Sequence, residues 1–235
     1  MPSYLNRFHA MVKELQGFEY IELVEFTPHP AATEAQLKAF ETTLKAPLDA
    51  AMRAFYSETN GLRLHWQIKP TLSAQEADRL MEKSQDYAVR IAEYEGDPFA
   101  MINILPIQAL ASHASKAVRI ESEGETVKLG TQSYSTEQLS KRMIPFDVFS
   151  EENCQAFLGL PGNEAARVVL LGEGGSAWFE SRTSSFASYL ELLIATRGIT
   201  QARLALYEDA GPDAEPVVEG DADYWAKTFT PDLFK

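Results

Sequence analysis

The sequence predicts one α+β domain over residues 31–205, preceded by an N-terminal helical extension, 1–30, and followed by an acidic C-terminal arm, 206–235. Three observations carry this reading. The apolar residues switch between a helical period and a two-residue period along the chain, most sharply inside "FYSETNGLRLHW", residues 55–66. The run "ARVVLLGEGGSAWFES" places two β-rich stretches around Gly172, Gly174 and Gly175, the pattern of a hairpin. The charge is uneven, with Glu208, Asp209, Asp213, Glu215, Glu219, Asp221 and Asp223 gathered in a segment that holds no base.

Tyr4, Leu5, Phe8, Met11, Val12 and Leu15 form a helical stripe, and "FEYIELVEF" then alternates as a short strand or extended arm. "TPHPAA" reads as a loop that its prolines enforce. Thr33 and Gln36 have capping-box spacing, and Leu37, Phe40 and Leu44 continue on one face of the helix they open. Pro47 ends that helix and suits the first turn of the next, in which Leu48, Ala51, Met52 and Phe55 point inward. Asn60-Gly61 is then expected to close this helix in the left-handed conformation that Gly and Asn adopt most cheaply. Leu62, Leu64, Trp66 and Ile68 alternate with Arg63, His65 and Gln67, so a half-buried strand follows the corner.

Ser73 and Glu76 open a long amphipathic helix over 73–95, ended by Gly96-Asp97-Pro98. "FAMINILPI" reads as a strand and "QALASHASK" as one or two helical turns. "AVRIESEGETVKL" suggests a hairpin turning at Glu123-Gly124, "RMIPFDVFS" a strand, and "EENCQAFLGLPG" an irregular stretch. Ser184 or Ser185 caps a last helix that turns Phe186, Tyr189, Leu190, Leu193 and Ile194 inward and stops at Gly198.

Composition narrows the function. Lys plus Arg number 21 against 34 Asp plus Glu, a net charge of −13, which opposes binding to phosphate backbones and favours a basic protein partner. About half of that excess lies in the arm; its plain reading is a solvated linker, its sharper one a patch aimed at a cation-rich partner. Trp225 beside Tyr224 is either an aromatic anchor within an acidic rim or a pin that holds the arm to the domain. No run reaches the roughly 20 apolar residues of a membrane helix, and "MPSYLNRFHAMVKEL" lacks a secretion pattern. With Cys154 as the single cysteine, the expectation is a cytoplasmic protein without disulfides.

Catalytic patterns are weak. "GEGGS" at 172–176 is followed by no Gly-Lys-Ser/Thr, and the position that a nucleophile elbow at Ser176 needs as glycine is Trp178. His9, His29, His65 and His113 lack metal-ligand spacing, and Cys154 has no companion cysteine. Glu151-Glu152 reads as a helix-leading acid pair, and Trp66 and Trp178 as core or groove wall. The expectation is a protein without enzymatic activity, cofactor or metal.

Three stretches together resemble the SUKH superfamily, the Smi/Knr-type domain: "EAQLKAFETTLKAPLDAAMRAFYSETNGLRLHW", "INILPIQAL", and "IPFDVF" followed by "RVVLLGEGGSAWFESRTSSFASYLELL". The likeness runs in order over roughly residues 33–200 and leaves the first 30 residues and the acidic arm without a counterpart. It implies a central, mostly antiparallel sheet covered by helices. It also implies a role as a bacterial immunity protein that binds and neutralises a cognate toxin, often a nuclease, or else as a protein-interaction hub. The partner-binding residues expected on the charge argument are Glu208, Asp209, Asp213, Glu215, Asp221, Asp223 and Trp225, with Asn60 and Gly61 as a structural corner.

Overall fold

A computed structural model describes residues 3–69, 100–114, 126–129, 132–149, 154–158, 167–171, 177–178, 185–199 and 203. The helix expected at 73–95, the turn at Glu123-Gly124, the glycines of 172–175 and the arm 206–235 lie outside them.

The fold is α+β. Its main sheet has seven strands in the order β1-β2-β3-β6-β7-β8-β9, and every neighbouring pair is antiparallel. The strands are β1 (Ile21–Pro28), β2 (Leu62–Ile68), β3 (Ala100–Ile104), β6 (Met143–Val148), β7 (Cys154–Leu158), β8 (Arg167–Leu171) and β9 (Ala177–Trp178). A separate ribbon joins β4 (Thr126–Leu129) to β5 (Gln132–Ser135). The helices are α1 (Tyr4–Leu15), α2 (Glu34–Leu44), α3 (Ala50–Glu58), α4 (Ile107–His113), α5 (Thr136–Ser140) and α6 (Phe186–Ala195).

Alternation in β2 and β3 turns Leu62, Leu64, Trp66, Ala100, Ile102 and Ile104 toward the core, all of them buried. Helices α1, α3 and α6 pack together over that core, and Phe55 of α3 is its aromatic hub, meeting Tyr4, Phe8, Tyr56 and Phe186 edge-on. Trp66 is fully buried, and its indole N–H donates to the Arg197 carbonyl at 2.7 Å, which makes it a core residue. Residues 3–30 share this core. Phe8, Met11, Val12 and Leu15 of α1 are buried within it, and β1 is hydrogen-bonded along β2.

Local chemistry fixes the helix ends. Thr33 and Gln36 form the expected capping box, with the Thr33 N–H donating to Gln36 Oε1 at 2.7 Å. The next helix starts later than Pro47 suggests. The Asp49 carboxylate accepts the amides of Ala51 and Met52, and that acceptor sets the first turn at Ala50. Ser185 caps α6, which Arg197 and Gly198 close with φ of 55° and 76°.

One further expectation needs correction. The run "EENCQAFLGLPG" contains a strand, β7, because its backbone is paired on both sides, with β6 and with β8; sheet context overrides its poor alternation. Within the described part of "AVRIESEGETVKL", β4 pairs with the β5 that follows it, Leu129 opposite Gln132.

Candidate functional site

At the corner 59–61 the helix α3 ends on Thr59 in an extended conformation, φ −149°, so Asn60 closes no left-handed turn. Only Gly61 is left-handed, with φ 91°. A Cβ on Gly61 would stand 2.3 Å from the Ile104 carbonyl oxygen, so glycine is required there for backbone approach as well as for φ. Thr59 is buried and its hydroxyl lies within hydrogen-bond reach of the His29 and Gly61 carbonyls, at 2.9 and 2.7 Å.

Asn60 works outward. Its Oδ1 accepts the Ile107 N–H at 2.8 Å, and its Nδ2 donates to Gln108 Oε1 at 2.9 Å. Helix α4 starts after Pro106, which offers no side-chain cap of its own, so Asn60 supplies one from 47 residues away. The corner is a structural joint between α3, β2 and α4.

A second polar constellation lies inside. Between Pro145 and Asp147 the register of β6 shifts, and the bulge lets consecutive residues Phe146 and Asp147 both meet Tyr189 of α6. Asp147 Oδ1 accepts the Asn103 N–H at 2.8 Å, while Oδ2 accepts the Tyr189 hydroxyl and, at 3.0 Å, the Arg203 guanidinium. Arg203 also donates to the Tyr189 oxygen at 2.8 Å, to the Met101 carbonyl at 2.6 Å and to the Gly198 carbonyl at 3.2 Å. Its guanidinium carbon sits 4.4 Å from the Phe149 ring centroid. Asp147 and Arg203 are both fully buried. Burial pushes the Tyr189 hydroxyl well up from its ordinary range, so it stays a neutral donor.

Sequence reasoning missed this cluster, although its signal was present: Asp147 interrupts the apolar run "MIPFDVF", and Arg203 interrupts "ARLAL". A charge inside an apolar run is seldom buried without a partner, so the two implied each other.

The histidines are dispersed. His9 stands edge-on to Phe26 at 5.1 Å, the His29 amide donates to the Gly61 carbonyl, and His113 ends α4. His65 lies on β2 opposite Glu25 and Met101; burial lowers its pKa, and its Nε2 has no hydrogen-bond partner among the described residues. Cys154 begins β7, opposite Val148 and Leu171. Among the described residues no three His, Cys, Asp or Glu groups are placed to share a metal ion, and no helix is long and apolar enough to cross a membrane.

Among the described residues, four arginines pair with acids. Arg7 pairs with Glu191, Arg53 with Glu34 and Glu41, Arg63 with Glu25, and Arg197 with Glu14. Each pair is worth little in stability, but together they occupy guanidinium groups that could otherwise meet phosphates. Glu208, Asp209, Asp213, Glu215, Asp221, Asp223 and Trp225 all fall outside the described residues, so of the expected site residues the structure places only Asn60 and Gly61. No protein-family model and no curated protein matches the chain.

Proposed function

We propose that this chain is a non-enzymatic protein-binding domain of the immunity type, which neutralises a basic toxin, nucleases included, by covering its active face. The observation that carries the reading is the net charge of −13, about half of it in the arm that follows the domain. A surface of that sign raises the encounter rate with a cationic protein and disfavours nucleic acid. The motif likeness to the SUKH superfamily supports the same reading, and so does the mutual pairing of arginines and carboxylates on the described surface. Glu208, Asp209, Asp213, Glu215, Asp221 and Asp223 supply the field, and Trp225 the apolar anchor. The protein acts in the cytoplasm and needs no cofactor, metal or membrane.

The test is co-expression with the product of each neighbouring open reading frame. Rescue of growth from one toxic product, with a complex recovered from the two purified proteins, supports the proposal; absence of any toxic neighbour and of any basic partner overturns it. A scaffold or regulatory interaction module without a toxin is the second reading. It predicts an apolar interface whose affinity holds as salt rises, whereas a steered acidic–basic pair weakens.

A further inference from the structure

We propose that Asp147, Tyr189, Phe149 and the carbonyls of Met101 and Gly198 form a guanidinium socket, filled in cis by Arg203, that latches the chain following α6 onto the sheet. The inference stands apart from the functional reading above.

The geometry is specific for a planar cation. Nε reaches the Tyr189 oxygen and Asp147 Oδ2 at 2.8 and 3.2 Å, one terminal nitrogen reaches Asp147 and Met101, and the other reaches Gly198. The Phe149 ring covers the group at 4.4 Å. A lysine ammonium has neither the fork nor the flat face that these partners require. The partners come from β3, β6, α6 and the turn that ends α6, so one side chain ties four places together. The antiparallel bridge Ala100–Ile199 aligns the same stretch of chain with β3. Because Arg203 is fully buried, its side chain cannot enter a protease specificity pocket while the latch is closed.

Limited trypsinolysis of the full chain tests this, with cleavage after Arg203 followed by mass spectrometry. The wild type is expected to cut slowly there. Asp147→Asn should speed that cut by roughly tenfold or more, since cleavage tracks the open population and an unpaired buried cation favours opening. Tyr189→Phe, which keeps the ring, should speed it by less, and it carries the test where Asp147→Asn does not fold. A second arm uses Arg203→Ala: N-ethylguanidinium should raise its melting temperature saturably, ethylammonium should not, and Asp147→Asn/Arg203→Ala should respond to neither. Rapid cleavage after Arg203 in the wild type, or equal effects of the two cations on Arg203→Ala, overturns the proposal.

Discussion

Asn60 Oδ1 accepts the backbone N–H of Ile107 at 2.8 Å, so a residue just past one helix caps the start of another that is distant in sequence. Asn60→Ala removes this acceptor and is expected to cost about 1 kcal/mol, in line with the loss of an N-cap. Asn60→Asp keeps the acceptor and loses only the bond to Gln108, so it should cost less. Urea denaturation of both variants measures the difference, and equal losses would show that the bond to Ile107 is not the stabilising one.

Gly61 and Gly198 both have positive φ, yet they differ in what a side chain would meet. At Gly61 the obstacle is the Ile104 carbonyl at 2.3 Å; at Gly198 it is the end of the Ile102 side chain at 2.9 Å. Backbone cannot yield as a side chain can. Gly61→Ala is therefore expected to cost about 2 kcal/mol or more, and Gly198→Ala less, when the melting temperatures of the two are compared.

Phe55 is fully buried among four aromatic rings drawn from α1, α3 and α6. Phe55→Ala should lose about 3–5 kcal/mol through lost burial and the cavity left behind, and Phe55→Leu clearly less. Chemical denaturation monitored by far-UV circular dichroism checks both. A small loss in Phe55→Ala would mean that the three helices repack around the gap.

His65 gives the fold a pH dependence of defined sign. Burial lowers its pKa, while Glu25 and Glu22 raise it by less and Arg63 lowers it further. The unfolded chain therefore binds a proton first, near pH 6.5, and stability falls as pH drops from there toward the folded value. His65→Gln should flatten the decline of melting temperature between about pH 7 and 5. An unchanged slope would assign the decline to other groups.

The sequence made local features legible and missed those set at a distance. Thr33 with Gln36, and Ser185 before Phe186, announce their helices because capping is a contact over three residues. The alternation from Leu62 announces β2 because one face of that strand is buried. Strand β7 stayed hidden, since only its neighbours β6 and β8 make a strand of it. The corner was foreseen, but its working parts were not: the partners of Asn60 and the obstacle at Gly61 belong to residues 104–108, brought there by the pairing of β2 with β3. The Asp147–Arg203 pair escaped for the same reason, being separated by 56 positions.

These long spans delay closure of the core until the last helix has been made. The indole of Trp66 awaits a carbonyl 131 positions later, the Met101 carbonyl a cation 102 positions later, and Arg7 a carboxylate 184 positions later. A nascent chain halted before α6 has its first helix and first two strands made, yet lacks the groups that close over them. A product truncated there would lack the α6 side chains that cover Phe8, Phe55 and Trp66, and so would leave part of that shared core open to solvent.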